Sequence, residues 1–261
     1  MELYRNSWGI TLSVWKALLL REVLARLFAS RAAWFWLIAE PVLHMAIIGF
    51  IYSVIRHRTV GGIDTLIWLV LGLQGFFLFR RTAMQMAGAI DSNRALFSYR
   101  QVTPTDTVLM RGVLEALLMS IVVSAIMAGL ALLGHDIIPM DPIALLLAFM
   151  GLWLFGVAVG LIFSVISELV PEFRNIVNMV MMPIYFISGV MVPVASIPEP
   201  YRNWLLINPI AHGLDGARAG FSLYYHHVPG LSLAYLYIVA LVGIFAGLVL
   251  HRRFADFMVT R

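Results

Sequence analysis

Residues 143–167 read IALLLAFMGLWLFGVAVGLIFSVIS, a run without one charged side chain. A helix needs about 20 mostly apolar residues to cross the hydrocarbon core of a bilayer. This run is longer than that, and the charged Glu168 closes it. The stretch therefore predicts a membrane-spanning helix.

The composition of the chain extends this prediction to the whole molecule. Of 261 residues, 61% are hydrophobic and only 12% are charged, and the mean hydropathy is +0.90. A soluble domain has about 45–50% apolar and about 25% charged residues. The composition thus excludes a soluble enzyme and a disordered chain, and the absence of cysteine excludes a disulfide-stapled secreted domain.

Five further runs are also apolar, and each ends at charged, turn-forming or proline-rich residues. They are residues 34–55, 63–79, 107–133, 176–194 and 231–250. Together with residues 143–167, they predict an all-α integral membrane protein with six transmembrane helices. The chain is expected to form a single transmembrane domain over residues 1–261, with the six-span bundle at residues 34–250.

The distribution of positive charges orients the predicted helices. With the N-terminus inside, 14 of the 18 arginine and lysine residues fall in inner segments and 4 in outer ones. Because cytoplasmic segments are enriched in these residues, both termini are predicted to be cytoplasmic. Charges scattered through residues 1–33 leave no apolar core for a signal peptide. Residues 1–33 are thus expected to stay as a cytoplasmic interfacial segment, and residues 251–261 as a cytoplasmic tail.

Residues 19–28 have the pattern of an amphipathic helix. Leucine, valine and phenylalanine occupy one face, while Arg21, Glu22, Ala25 and Arg26 occupy the other. Such a helix is expected to lie along the inner surface of the membrane.

A short cytoplasmic helix is predicted between the second and third spans. Asp91 or Ser92 is expected to cap its N-terminus, and Pro104 to end it. Thr105 or Asp106 is expected to cap the third span.

Residues 194–230, on the outer side, are too apolar for a plain loop and too often interrupted for a span. Pro198, Pro200 and Pro209 break the segment, as do several glycines. Irregular backbone at membrane depth survives only when it is buried in protein or lines water. A re-entrant hairpin or a pair of broken helices is therefore predicted before the last span.

Motifs for chemistry on this chain are absent from the sequence. The only lysine is Lys16, and it lacks the glycines of a phosphate-binding loop. No zinc-protease or serine-hydrolase motif is present, and His226-His227 in a loop is a weak metal signal. We therefore expect no catalytic residues, no metal site and no cofactor on this chain.

Ionisable residues inside the predicted spans are few. Glu40 and His44 are four positions apart in the first span, and Arg111 and Glu115 are four apart in the third. Each pair falls on one helix face, so it either relays a proton or ion or neutralises itself near the interface. The lack of ionisable residues at mid-depth in the other spans argues against an ion-driven carrier.

Two glycine pairs permit close helix packing. Gly156 and Gly160 are four apart in the fourth span, as are Gly243 and Gly247 in the sixth. They are expected to serve contacts within the chain or contacts of a dimer.

The order of these parts, with several short motifs, resembles the type-2 ABC exporter permeases, and most of all the capsular polysaccharide export permeases, the KpsM-like group. The motifs are PEFRNIVNM at 171–179, PIYFISGV at 183–190, NPIAH at 208–212, YRQVTP at 99–104, and Arg21-Glu22. The resemblance covers nearly the whole chain.

The resemblance implies a multi-pass permease of the bacterial inner (cytoplasmic) membrane. It implies a homodimer that works with two copies of a separate ATP-binding subunit, which binds ATP and Mg. The implied cargo is a lipid-linked capsular polysaccharide, and Gram-negative relatives also use a periplasmic adaptor and an outer-membrane export protein. The chain is then no enzyme by itself, and its partners include membrane lipid but no nucleic acid.

Other functions stay open at this point. One is a type-2 exporter of another cargo, such as O-antigen, teichoic acid or a small molecule. An ion-coupled carrier and a membrane-embedded glycan-modifying enzyme are the others, and the sequence offers no convincing set of groups for either.

Within the permease interpretation, the short cytoplasmic helix is expected to dock into the ATP-binding subunit. A basic rim with aromatic anchors is typical of binding hot spots, and the N-terminal helix is expected to belong to the same surface. The predicted coupling residues are Arg21, Glu22, Arg26, Arg94, Phe97, Tyr99 and Arg100. A solvated loop at the lipid head groups is the alternative.

A path for a sliding polysaccharide is expected to hold it weakly and repeatedly. Aromatic faces suit the C–H faces of sugar rings, hydroxyl and amide groups bond to sugar hydroxyls, and an arginine suits an anionic group. The predicted path residues are Arg174, Asn175, Asn178, Tyr185, Phe186, Ser188, Tyr201, Trp204, Tyr224 and Tyr225. Ordinary helix packing and interface anchoring are the alternative for each of them.

Overall fold

The structure, a computed structural model, describes residues 7–28, 32–55, 59–99, 101–226 and 228–260. Within these ranges the chain is helical apart from one two-stranded hairpin, so the all-α fold class is confirmed. The elements are α1 Ser7–Leu27, α2 Ala33–Ile55, β1 Thr59–Val60, β2 Ile63–Asp64, α3 Thr65–Ala87, α4 Ala89–Asn93, a 3-10 helix Arg94–Ser98, α5 Pro104–Leu132, α6 Pro142–Leu169, α7 Phe173–Ile187, a 3-10 turn Val194–Ser196, α8 Tyr201–Leu205, α9 Pro209–Phe221, α10 Leu233–Arg253 and α11 Ala255–Thr260.

In the described part of the chain, four helices are long and apolar enough to cross a membrane: α3, α5, α6 and α10. Among the described residues, α2 and α7 contribute the shorter apolar helices Ile38–Tyr52 and Phe173–Ile187. Each of the six predicted spans coincides with one of these helices. The spanning character of α2 and α7, and the orientation of the chain, stay predictions.

Two helices differ in extent from the predicted spans. The second span was expected to end before Arg80, but α3 continues to Ala87. The helix can continue because its arginines pack against neighbouring helices. Arg81, for example, contacts the carboxylate of Glu115 on α5. The fifth span was expected to reach Val194, but α7 ends at Ile187, shortly before Gly189, which adopts a positive φ of 75°.

The predicted helix caps also need correction. Thr103, rather than Thr105 or Asp106, caps α5. The Asp106 carboxylate accepts from the backbone N–H of Thr103, at 3.1 Å, and the Thr103 hydroxyl oxygen accepts from the N–H of Asp106, which is a capping box. Pro104 therefore begins α5 instead of ending the short helix.

The short helix itself starts after Gly88, so Asp91 and Ser92 lie inside α4. The Ser92 hydroxyl donates to the carbonyl of Gly88 at 2.8 Å. A 3-10 helix, Arg94–Ser98, extends α4, so the predicted short helix exists in two pieces.

The centre of the bundle is α3 packed against α6. Most of α3 is buried on all sides, and Trp68 is completely inaccessible. Gly156 lets α6 approach α3, because a Cβ there would lie 2.9 Å from the carbonyl oxygen of Phe79. Gly247 similarly brings α10 onto α6, where a Cβ would lie 2.6 Å from Leu161. Both glycine pairs therefore serve contacts within the chain.

The outer segment folds as the predicted pair of broken helices, α8 and α9. Nearly every residue of α9 is buried, and α9 packs on α3, α6 and α10. The Asn208 side chain caps α9 by accepting from the N–H of Ile210 at 3.1 Å. Helix α9 itself is thus covered by protein, whereas Ile207 before it and Leu223 after it are exposed.

The N-terminal helix α1 begins at Ser7, well before Leu19. The predicted charged face does not pack as one unit, because Arg21 and Ala25 are exposed while Arg26 is half-buried. Glu22 is buried, while Leu20, Leu24 and Phe28 are exposed.

Candidate functional site

A cleft of about 770 Å³ lies between α2, α3 and α7. Helices α2 and α3 are joined by the short hairpin and run in opposite directions, so residues early in α2 and late in α3 share one end of the cleft. The lining residues are Glu40, Pro41, His44, Ile48, Phe77, Arg80, Arg81, Met84, Gln85, Met119, Asn178, Met181, Met182, Tyr185, Phe186 and Met191.

The two ends of the cleft differ in polarity. Glu40, Arg80, Gln85 and Asn178 come from the start of α2, the end of α3 and the start of α7, and they make one end polar. Further along the same helices, residues such as Ile48 make the opposite end apolar and aromatic. We call these the polar end and the apolar end. In the predicted topology the polar end faces the cytoplasm.

Two aromatic residues of α7 form one wall of the cleft. The Tyr185 ring stands edge-on to Phe76, with 5.2 Å between ring centroids, and edge-on to Phe186 at 5.2 Å. Phe186 is exposed and Tyr185 is half-buried. The two rings can therefore contact a ligand, and Tyr185 packs against Phe76 of α3.

Of the predicted path residues, Asn178, Tyr185 and Phe186 line the cleft. Ser188 does not: it is fully buried, its hydroxyl donates to the carbonyl of Ile184, and it accepts from the Asn208 amide at 2.9 Å. Ser188 therefore makes a structural contact at the C-terminal end of α7.

The predicted path residues Arg174 and Asn175, at the start of α7, also lie outside the cleft lining. The Arg174 guanidinium is 3.8 Å from the Asp91 carboxylate and packs where a Cβ on Gly88 would collide with it. Asn175 is exposed. Arg174 thus connects α7 to the short helix α4.

The four predicted outer aromatics have two different environments. Tyr201, Trp204 and Tyr224 are strongly exposed, but Tyr225 donates its hydroxyl proton to the Asp215 carboxylate at 2.9 Å. Burial, and next the Asp215 carboxylate, raise the pKa of Tyr225, so it stays a donor. Three of the four are therefore accessible to a ligand.

A second constellation is a buried cluster of charges where α1 meets α3 and α5. Arg111 of α5 binds the Glu22 carboxylate of α1, and Arg26 of α1 binds the Glu115 carboxylate of α5. Arg81 of α3 lies 3.4 Å from the second oxygen of Glu115. We call these five residues the ion-pair cluster.

The ion-pair cluster corrects one sequence interpretation. Arg111 and Glu115 do not pair with each other within the described part of the chain, so the self-neutralising pair is wrong. Each instead pairs with α1. Burial lowers the pKa of the Arg26 guanidinium, and the Glu115 carboxylate opposes that shift. Glu40 and His44 likewise form no ion pair within those ranges, and the His44 ring stands edge-on to Phe77 with 5.5 Å between centroids.

The ion-pair cluster continues into the short helix α4. Asn93 accepts from Arg21 and donates to Glu22 at 3.1 Å. Beyond α4, Arg94 binds the Glu168 carboxylate at the end of α6, at 2.8 Å. Polar contacts thus join α1, α4, α5 and α6 at one end of the bundle.

The predicted coupling residues therefore separate into groups. Glu22 and Arg26 are bonded inside the chain, and Phe97 is buried with Ile90 and Met258 in a small core. Tyr99 is 65% exposed and is the accessible aromatic of the segment. Arg100 lies outside the described residues.

Sequence reasoning missed Arg80 as a residue of the cleft. It was read as the charged end of a span, although Met84 and Met86 continue the apolar pattern beyond it. That continuation was the available signal that α3 does not stop there.

The ABC-2 type transporter family matches residues 13–222. The chain is 35% identical over 245 residues to the polysialic acid transport protein KpsM of Escherichia coli, covering 94% of this chain and 95% of that protein.

Two further relatives are capsule polysaccharide export inner-membrane proteins by name. CtrC of Neisseria meningitidis is 27% identical over 227 residues, which is 84% of each chain. BexB of Haemophilus influenzae is 27% identical over 218 residues, covering 84% of this chain and 82% of that protein. The family match and the near-complete coverage lead to one conclusion: the chain belongs to the ABC-2 type transporter family.

Proposed function

We propose that this chain is the permease subunit of an ATP-driven exporter that moves lipid-linked capsular polysaccharide across the bacterial inner membrane. The observation that carries the proposal is the cleft with one polar and one apolar, aromatic end. A lipid-linked glycan has the same two-part chemistry. The names of the relatives, which transport polysialic acid or export capsule polysaccharide, support the choice of cargo.

The energy source is a separate subunit. The chain has no phosphate-binding loop, and membership of its family supports an ATP-binding partner. Two copies of that subunit bind two copies of this chain. One chain offers only a cleft, so a second copy supplies the remaining wall of an enclosed path.

The cargo contacts divide along the cleft. Two arginines line this part of the cleft, and Arg81 contacts Glu115, whereas no ion pair holds Arg80 within the described ranges. Arg80 is therefore the cation available to cargo. It receives a phosphate or a sugar carboxylate as a charge-assisted partner. Tyr185 and Phe186 give ring faces to sugar rings or to an acyl chain.

The cleft also has a feature that suits another cargo. Five methionines line it: Met84, Met119, Met181, Met182 and Met191. Methionine is flexible and accommodates varied apolar shapes, which favours export of an amphipathic small molecule as the second candidate.

Deleting the gene and restoring it on a plasmid tests the proposal. We expect the deletion strain to lose surface polysaccharide and to accumulate it inside the cell, with recovery on complementation. Normal surface polysaccharide in the deletion strain, together with new sensitivity to an amphipathic drug, would favour the second candidate.

Tyr185→Ala is expected to lower export several-fold at unchanged protein level, because a cleft wall loses its ring face. Trp204→Ala on the outer side is expected to act in the same direction. The measurement is surface polysaccharide per amount of permease in the membrane.

Trp153→Ala is the matched control for these variants. Trp153 lies outside the cleft lining and donates its indole N–H to the carbonyl of Gly112 at 2.9 Å. Its loss is expected to reduce the protein level instead. Equal export per permease in Tyr185→Ala and the parent would show that Tyr185 is not a path residue.

The exposed Tyr99 is expected to anchor the ATP-binding subunit. A hot-spot aromatic contributes about 2 kcal/mol or more to an interface, so Tyr99→Ala should weaken that complex roughly 30-fold. Co-purification and affinity measurements in detergent provide the test.

Two other variants make this test selective. Phe245→Ala removes a similarly exposed aromatic from α10, outside the segment that carries Tyr99, and should leave the affinity unchanged. Phe97→Ala should lower protein level, since Phe97 is buried. Unchanged affinity in Tyr99→Ala would show that the ATP-binding subunit docks on another surface.

A further inference from the structure

The apolar end of the cleft is bounded by residues 188–191, which follow α7. Ser188 and Val190 are completely buried, and Met191 lines the cleft. Gly189 makes the turn with a φ of 75°. A cargo that leaves the cleft at this end passes Met191, and we call residues 188–191 the gate segment.

A buried arginine binds the gate segment from α9. Arg218 is 1% exposed. Its guanidinium donates to the carbonyl of Gly189 at 2.8 Å and to the carbonyl of Val190 at 3.0 Å. The same guanidinium lies 3.6 Å from the centroid of the Trp68 ring. One cation thus joins α9, α3 and the gate segment.

Two neighbours add hydrogen bonds to the gate segment. The Tyr52 hydroxyl of α2 donates to the carbonyl of Met191 at 2.7 Å, and Asn208 donates to the Ser188 hydroxyl at 2.9 Å. Contacts therefore reach the segment from both sides of the cleft.

The backbone of α3 is shaped to admit the arginine. A Cβ on Gly72 would collide with the Arg218 guanidinium and lie 2.8 Å from the carbonyl oxygen of Val190. Glycine at this position therefore lets the guanidinium and the Val190 carbonyl meet beside the helix.

The chemistry of these contacts suits repeated opening. The acceptors are backbone carbonyls, which the segment carries with it when it moves and presents again on return. When the segment has moved and its carbonyls no longer accept from Arg218, the guanidinium still contacts the face of Trp68, which is favourable for its charge. The charge of Arg218 is therefore not left without a favourable contact in the open state.

We infer that Arg218 is a positioning residue that holds residues 188–191 as a gate at the apolar end of the cleft, and that its two hydrogen bonds open when cargo leaves. The inference rests on the proposed function, because it takes the cleft as the path of the cargo.

The chain contains no cysteine, so a single introduced cysteine reports access to the cleft. Ile48→Cys places a thiol on the lining near the apolar end. Intact cells or right-side-out vesicles are treated with a membrane-impermeant maleimide, and the labelling rate is measured. We expect slow labelling in the Ile48→Cys parent.

Loosening the gate segment should raise this rate. Arg218→Gln removes the charged donor and is expected to speed labelling about tenfold or more, and Gly72→Ala should act in the same direction by pushing the guanidinium aside. Tyr52→Phe removes one neutral hydrogen bond and is expected to speed labelling about two- to tenfold. Arg218→Lys keeps a charged donor and should give an intermediate rate.

Two controls separate gating from general damage. Arg202→Gln removes an arginine whose partner is Glu199 on the surface, and labelling should stay at the parent rate. A cysteine in place of the exposed Leu223 should react equally fast in every background. Tyr52→Phe keeps the ring, so it remains informative if Arg218→Gln fails to insert.

The outcomes decide the inference independently of cargo. Equal labelling of Ile48→Cys in the parent, Gly72→Ala and Tyr52→Phe overturns the gate and leaves the export proposal standing. Faster labelling in these variants supports the gate, even in a strain whose polysaccharide export does not depend on this chain.

Discussion

Glu115→Gln is expected to cause one of the largest losses of stability available in this chain. The Glu115 side chain is completely buried and lies between Arg26 of α1 and Arg81 of α3. Removing one partner of a buried ion pair destabilises by about 3–5 kcal/mol, because the charge left behind keeps its desolvation penalty. Here two guanidinium groups would be left facing a neutral amide.

Thermal unfolding of the detergent-purified protein measures this effect. We expect a marked fall in the midpoint for Glu115→Gln and a lower level in the membrane. Glu199→Gln is the matched control, since Glu199 pairs with Arg202 on the surface, and exposed pairs contribute about 0–1 kcal/mol. Equal unfolding midpoints for both variants would show that the ion-pair cluster stabilises the fold no more than an exposed pair does.

A second variant separates the two halves of the cluster. Glu22→Gln removes the carboxylate that faces Arg111 but leaves Arg26 with Glu115. Its effect should add to that of Glu115→Gln only if the two pairs are independent. Because Arg26 interacts electrostatically with both Glu115 and Glu22, we expect non-additive losses, as in connected networks.

Hydropathy located the helices of this chain because a bilayer fixes the length and composition of what crosses it. The end of α3 was missed for a related reason. Arg80 and Arg81 were read as the membrane boundary, although in the fold they lie on a cleft wall and, for Arg81, beside Glu115. A one-dimensional pattern cannot distinguish an arginine at the lipid surface from one covered by other helices.

The cleft was predictable only in part. Tyr185, Phe186 and Asn178 lie on one helix, so their shared chemistry was visible in the sequence. Arg80 joins them only because α3 packs beside α7. The ion-pair cluster was hidden for the same reason: local spacing suggested Arg111 with Glu115, whereas the partners come from α1, about 90 residues away in sequence.

Arg80→Gln is expected to lower export about tenfold or more while the permease level stays near that of the parent. A hydrogen bond to a charged group contributes about 1.5–3 kcal/mol, and this variant removes the cleft arginine that has no ion pair among the described residues. Arg80→Lys retains the charge and should recover part of the rate. The measurement is surface polysaccharide per amount of permease.

The source of the anion that meets Arg80 can be distinguished by changing the cargo. A sugar carboxylate predicts that Arg80→Gln affects export of an acidic polymer and spares a neutral polymer on the same lipid. A lipid phosphate predicts equal losses for both polymers. Parent-like export of both polymers by Arg80→Gln would exclude the polar end of the cleft from the path.

The neighbouring arginine provides the control that separates transport from folding. Arg81 borders the same cleft, but its guanidinium is 3.4 Å from the Glu115 carboxylate. Arg81→Gln should therefore reduce the unfolding midpoint and the membrane level, with export per remaining permease close to normal. Adjacent arginines are then expected to give opposite patterns, because Arg80 is proposed to bind cargo whereas Arg81 contacts Glu115.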